Sequence, residues 1–305
     1  MIFQRTLKKP ICITGVGVHS GQKVTLTLLP ARANAGVVFK RTDLKNAPKI
    51  SAHYKNIINT QLATTLGRGK ITVGTVEHVL AALQGLGIDN ASLELNGPEV
   101  PILDGSSQGF CEAILASGVE TQAQPRTYLA LRRKVELHIG DKWAMVEPSS
   151  RLEIHASVQW DHPSIGQQEF HYIEGKTPFS ELSSARTFGF LKELEALKKL
   201  GLARGGSLSN VIVLDHQTVL NPEGLRFADE FVRHKALDAL GDLKLAGVPI
   251  QGRFFFHRAG HEIHRQLLLE VFKNPDNFEI FDPSHERRPL ELPMPLTQPG
   301  FAVSY

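Results

Sequence analysis

TVEHVLAALQGLG, residues 75–87, is where the hydrophobic period of the chain changes. Val76, Val79, Leu80 and Leu83 fall on one face of a 3.6-residue period, Thr75 stands where an N-cap belongs, and Gly85 and Gly87 stop the run. The spacing predicts a helix capped by Thr75. Before it the period is two: ICITGVGVHSGQKVTLTLLPA (11–31) has two alternating apolar runs about a Gly-rich turn, and GVVFKR (36–41) and TTLGRGKITV (64–73) continue the pattern. After it comes a strand, ASLELNG (91–97), and then PILDGSSQGF (101–110), where Asp104 or Ser106 can cap a second helix, FCEAILASG (110–118). The polar segment VETQAQPRT (119–127) offers no core positions and reads as a linker, with a boundary near residue 124. The order then repeats, with strands in 126–140, 142–148 and 151–160 and helical periodicity in 179–201 and 225–247. Strands first and helices second, twice over, argue α+β rather than βαβ winding. Two domains are expected, 1–124 and 125–305.

The bulk numbers agree. At 305 residues the chain is about twice the usual domain length. It carries 34 Lys+Arg against 31 Asp+Glu, a net charge of +3, with 42% hydrophobic residues, 26 Gly and 17 Pro. That composition excludes disorder, collagen and coiled coil. No run approaches the ~20 apolar residues of a membrane span, and MIFQRTLKKP at the start has charges but no apolar stretch, so neither a stable membrane insertion nor a secretory leader is expected. Cys12 and Cys111 cannot make a disulfide framework, which fits a reducing cytoplasm. The charge excess is too small to argue for nucleic acid. The excess that matters is histidine: thirteen of them, the side chain that titrates and binds metal near neutral pH.

Several tempting strings carry no weight. GVGVHSG (Gly15, Gly17, Gly21) is too long for a dinucleotide fingerprint and precedes a strand rather than a helix. Gly175-Lys176-Thr177 ends like a phosphate loop, but Phe170 stands where the first glycine belongs. His261-Glu262-Ile263-His264 spaces its imidazoles i, i+3, so it is no zincin motif. His285-Glu286 lies beside Pro283 and Pro289 in an expected loop.

One constellation survives. HKALD puts His234 and Asp238 at i, i+4 on one helix face, and Asp242 lies a further four residues along it. On an exposed helix this would be an ordinary His–Asp pair. Here Val232, Ala236, Leu237, Ala239 and Leu240 make the helix largely apolar, so the ionisable groups are expected to be partly buried and to need a partner or a metal. The other histidine helix, TVEH, sets Glu77 beside His78. Two imidazoles and one carboxylate suit Zn²⁺ and leave its fourth position open, as in a catalytic site, and a neighbouring carboxylate is placed to take a proton from water. Glu77 is the candidate base. Such a donor set also accepts Fe²⁺.

TVEH at 75–78, HKALDALGD at 234–242, GVGVHSG at 15–21, PILDGSS at 101–107, SSARTFGF at 183–190 and AGH at 259–261 together resemble the UDP-3-O-acyl-N-acetylglucosamine deacetylases, zinc amidases that commit precursors to lipid A. The likeness runs from QRTLK near the start to NPEGLRFADEFVRHK. It implies two similar α+β domains, each a mainly antiparallel sheet layered on helices, with the helices of the two packed face to face.

Carried over residue by residue, the resemblance implies a metal on His78, His234 and Asp238, with Glu77 as general base. His261, in a loop before the last long helix, becomes the protonated group that stabilises the oxyanion and gives its proton to the leaving amine. Asp242 would orient His261, and Thr187 would add a hydroxyl donor. Leu62 and Phe188 would border the sugar, Lys235 would sit near the diphosphate, and Trp160 and Lys142 near the nucleotide. The substrate implied is a UDP-linked acylated glucosamine, handled by a cytoplasmic monomer that can work at the periphery of the inner membrane. An insertion near 190–220, with Leu191, Leu194, Leu197 and Leu200 in a helical stripe, would form an apolar passage for the acyl chain; alternatively the stripe packs on its own domain. Two departures stand out: Glu262-Ile263-His264-Arg265 follow His261, and Ala63 replaces a cysteine. Two rival readings stay open: an amidase with the same ligands acting on a different acylated sugar, and an RNA-binding module using the basic residues 132–134, which leaves His234 and Asp238 unexplained.

Overall fold

In KVTLTLLP, Val24, Leu26 and Leu28 turn inward and are almost wholly buried while Thr25 and Thr27 face out, the alternation of a half-buried strand. In the computed structural model, which describes residues 2–283, this strand (Lys23–Pro30) lies in a five-stranded sheet in the order Ile11–Val16, Lys23–Pro30, Ala91–Leu95, Val37–Arg41, Ile50–Ser51. All its pairs are antiparallel except Val37–Arg41 with Ala91–Leu95. A seven-stranded sheet forms from later residues. Its central strand, Ile250–His257, pairs antiparallel with Lys142–Glu147 and parallel with Leu152–Trp160 and Tyr128–Leu131. The fold is α+β, with mostly antiparallel sheets.

Among the described residues six helices accompany the sheets: α1 (Glu77–Gly85), α2 (Gln108–Ser117), α3 (Ser180–Ser183), α4 (Leu191–Lys199), α5 (Glu230–Leu243) and α6 (His261–Lys273). α1 packs along α5, and α5 lies on the strands Leu152–Trp160 and Gly166–Ile173. One apolar cluster joins Leu26 and Leu93 of the first sheet, Leu80 and Leu83 of α1, Leu237 and Leu240 of α5, and Ile154 and Phe254 of the second sheet. Every residue of α1 from Glu77 to Gln84 is buried, as expected of a helix covered on all sides. Among the described residues no helix is long and apolar enough to cross a membrane.

Local expectations met mixed outcomes. α1 ends at Gly85, and Gly87 takes the left-handed conformation (φ 67°), as the glycines require. Thr75 is not its cap: φ is 54° there, and its hydroxyl donates to Glu99 Oε1 (2.9 Å). Before α2, Ser106 Oγ accepts from Gln108 N (3.1 Å), and Asp104 braces Ser106 rather than the helix. The stretch 119–127 is not a slack linker. Most of it is a strand, Val119–Pro125, antiparallel to Phe3–Leu7, since a ladder satisfies the main chain without apolar side chains. Residues 179–201 are not one helical run either. Phe188–Phe190 is a strand parallel to Ile212–Leu214, lying between α3 and α4. His261 does not precede the last long helix but opens it, with Gly260 at the cap. The loop expected at His285-Glu286, and the chain beyond it, lie outside the described residues.

Candidate active site

Helix α5 carries polar groups where a core helix ordinarily carries none. His234, Asp238 and Asp242 are each at most 2% exposed. Burial of this kind depends on α1, and α1 can approach because residue 241 is glycine: a Cβ there would collide with the Glu77 carbonyl. The close crossing brings His78 to the α5 residues. Asp238 Oδ1 lies 3.2 Å from His234 Nε2 and 3.7 Å from His78 Nε2, and the two rings meet edge-on at 5.0 Å. His234 Nδ1 donates to the Ala185 carbonyl (3.0 Å), which leaves Nε2 with a free lone pair. Lys235 Nζ donates to Asp238 Oδ2 (2.8 Å), while Asp238 Oδ1 and His78 Nδ1 are buried without a hydrogen-bond partner.

These observations test whether a metal fits. One ligand atom from each of His78, His234 and Asp238 lies within 4.8 Å of the others. An orphaned buried carboxylate oxygen facing two ring nitrogens is costly unless a cation satisfies it. The surrounding charge agrees: the buried carboxylates of Glu77, Asp238 and Asp242 outnumber the nearby cations His261 and Lys235. The trio fits a divalent ion of borderline softness with three protein ligands.

Beside the trio lies a second set of buried ionisable groups. Glu77 Oε2 accepts from the Thr64 N–H (3.0 Å), and its Oε1 is 3.8 Å from His261 Nε2. Burial pushes the Glu77 pKa up, against the pull of His261 and His78. Asp242 Oδ2 accepts from His261 Nδ1 and from His264 Nδ1, both at 2.8 Å, and Oδ1 accepts from the Thr64 hydroxyl (2.6 Å). Burial alone would lower the His261 pKa, but Asp242 and Glu77 carry it up to about 9. Burial would raise Asp242, but His261 and His264 bring it to about 2. His261 is therefore an imidazolium at neutral pH, held by a carboxylate behind it.

A cleft of ≈720 Å³ opens over these groups and gathers residues far apart in sequence. Besides the trio, Glu77 and His261, it is lined by Leu62, Thr187, Phe188, Lys235, Trp160 and Lys142. Asp242 sits behind His261 and does not line it. Phe188 stands edge-on to Trp160 (5.4 Å) and to Phe231 (5.0 Å), and Lys235 Nζ lies 5.4 Å from its ring centre. Leu62, 48% exposed with φ 62°, is held in a conformation unusual for its type. The stripe on α4 does not pack into a core. No α4 residue is buried, and Leu197 faces the cleft.

Three features of the site had no role assigned from the sequence. Arg186 and Glu230, 4% and 0% exposed, form a two-pronged pair at 2.9 and 3.1 Å; it fixes residues 185–187, and so the Ala185 carbonyl and Thr187, against the start of α5. His264 shares Asp242 with His261, a role unrelated to the zincin motif that its i, i+3 spacing excludes. His19 lines the cleft within the GVGVHSG string, its backbone N–H donating to Glu99 Oε1 (2.9 Å). A Cβ at Gly17 would strike the Glu99 carboxylate, so the glycines of that turn make room for an acid rather than a phosphate. The glycines were the available signal.

Comparison with known proteins places the chain. The family described as UDP-3-O-acyl N-acetylglycosamine deacetylase matches residues 4–273. A protein of Myxococcus xanthus named UDP-3-O-acyl-N-acetylglucosamine deacetylase is 48% identical over 289 residues, covering 94% of this chain and 91% of its own. Proteins of the same name from Geobacter sp. (strain M21) and Acidithiobacillus ferrooxidans are each 45% identical, covering 97% and 96% of this chain and 98% and 97% of their own. Matched along nearly its whole length at this level of identity, the chain belongs to the UDP-3-O-acyl-N-acetylglucosamine deacetylase family.

Proposed function

We propose that this chain hydrolyses the 2-acetamido group of a UDP-linked 3-O-acyl-N-acetylglucosamine, releasing acetate and the free amine at the committed step of lipid A biosynthesis. The observation that carries the reading is the buried His78–His234–Asp238 trio flanked by Glu77 and His261 at the floor of one cleft. The ion proposed is Zn²⁺, though the donors also accept Fe²⁺. When bound, it acts as a Lewis acid that polarises a carbonyl and acidifies a water.

The chain's own residues do the rest. Glu77, buried and with one oxygen fixed by Thr64, takes the proton from the attacking water. The imidazolium of His261 and the hydroxyl of Thr187 donate to the oxygen that gains charge as the water adds to the carbonyl carbon. His261 then gives its Nε2 proton to the nitrogen as the C–N bond breaks, and Asp242 holds the ring through Nδ1. Leu62 and Phe188 flank the sugar, Lys235 faces the diphosphate, and Trp160 and Lys142 lie towards the nucleotide. The partly open leucines of α4 border the fatty chain, where each buried methylene contributes about 0.8 kcal/mol.

A cytoplasmic monomer in two domains, divided near residue 124, goes with this reading. The division is supported by a five-stranded sheet drawn wholly from residues 11–95 and a seven-stranded one drawn from 128–281, and the cytoplasmic setting by two free cysteines. The test is acetate release with metal content measured in parallel. Glu77→Gln and His261→Ala should each slow release by roughly 10²–10⁴-fold while retaining the ion. Full activity in either variant removes that residue from the mechanism. Equal rates on a UDP-linked and a nucleotide-free acylated sugar would favour the amidase of other substrate.

A further inference from the structure

The strands Leu152–Trp160 and Gly166–Ile173 carry a second set of metal donors on the side turned away from α5. Ile154, Ala156 and Val158 point inward and are buried, so Glu153, His155 and Ser157 face the opposite way. His155 is directly opposite His171 in the antiparallel ladder, and Glu153 is two residues along on the same side. The imidazoles stack with centroids 3.5 Å apart, and His155 stacks in turn on Phe255 (4.6 Å). His171 Nε2 lies 3.6 Å from Glu153 Oε2.

We propose that Glu153, His155 and His171 form a second binding site for a divalent transition-metal ion on the outer side of the seven-stranded sheet. Three observations carry it. One ligand atom from each residue lies within 4.8 Å of the others. His155 Nε2 is shielded from solvent and has no hydrogen-bond partner, a cost that a ligand removes. The carboxylate is already braced as metal-bound carboxylates are: Ser149 Oγ donates to Oε1 (2.8 Å) and Arg253 Nε to Oε2 (2.9 Å). Two imidazoles and a carboxylate select Zn²⁺, Ni²⁺ or Cu²⁺ over Mg²⁺ or Ca²⁺. His171 is exposed, so the ion enters from solvent and keeps open positions for water or for a partner's side chain. Arg253 beside the carboxylate makes this the weaker of the two sites.

The experiment is equilibrium dialysis of the metal-stripped full-length chain against Zn²⁺. Wild type should bind two equivalents. The His155→Gln, His171→Gln double variant should bind one and keep its acetate-release rate. A His78→Ala, His234→Ala double variant should also bind one, and its melting temperature should still rise with Zn²⁺ concentration. Loss of that rise on adding His155→Gln and His171→Gln assigns the ion to the sheet. A single equivalent in wild type that vanishes with His78 and His234, or a second equivalent that survives loss of both sheet histidines, overturns the proposal and leaves the catalytic reading untouched.

Discussion

Helices α4 and α5 invert the usual relation between pattern and burial. α4 has the cleaner amphipathic sequence, leucines on one stripe and Lys or Glu elsewhere, yet none of its residues is buried. α5 breaks its apolar face with His234, Asp238 and Asp242, yet twelve of its fourteen residues are buried. A regular stripe states only that one side of a helix can be covered. An irregular one, with charges driven inside, means that something else in the molecule neutralises them. The second kind marks the chemistry.

The contrast can be broken from the α5 side first. Glu230→Ala should destabilise the protein by about 3 kcal/mol, because the buried Nε and backbone N–H of Arg186 lose their acceptor while Glu223 and the Gly224 carbonyl still hold the rest of the guanidinium, and the melting temperature measures it. An effect near zero would mean that the start of α5 is not anchored as the geometry indicates. Gly241→Ala comes next, at about 1–3 kcal/mol, since the added methyl meets the Glu77 carbonyl. It should also slow acetate release by moving Glu77 and His78 from α5.

Proton linkage gives a finer test. The folded pKa of His261 is raised from 6.5 to about 9, so its pairing contributes stability that is complete below 6.5 and lost as pH rises through about 9. Asp242 is depressed from 3.8 to about 2, so its share is complete above 3.8 and lost as pH falls through about 2. His261→Gln should therefore flatten the decline of stability on the alkaline side. The rate profile of wild type should fall at or below pH about 9, and its acid limb should lie above 4.5 because the Glu77 pKa is raised. A profile of His261→Gln that keeps the alkaline limb would assign it to another group. The smallest effect belongs to α4. Leu194→Ala and Leu197→Ala should shift stability by less than about 0.5 kcal/mol, yet raise KM more for a long acyl chain than for a short one.

The sequence reports some of this and hides the rest for physical reasons. The His234–Asp238–Asp242 spacing is legible because one helix turn fixes which side chains are neighbours. That α1 meets α5 there is a long-range fact, which the matching donor types on the two histidine helices suggest and the family likeness implies. Strand Val119–Pro125 stayed hidden because its partner, Phe3–Leu7, lies more than a hundred residues away and the pairing needs no apolar pattern. Thr75 misled because its hydroxyl serves Glu99, not the helix end. His264 was discounted on i, i+3 spacing, whereas its role is to share Asp242 with a histidine at the first turn of the same helix.

Thr64 is anchored by two acids at once, its N–H to Glu77 and its hydroxyl to Asp242. It follows Leu62 by two positions on the segment that borders the cleft. A single residue at the rim therefore ties together the two acids that flank His261, and Thr64→Val, which cuts the hydroxyl tether to Asp242 and spares the N–H tether to Glu77, is the substitution that would pull them apart.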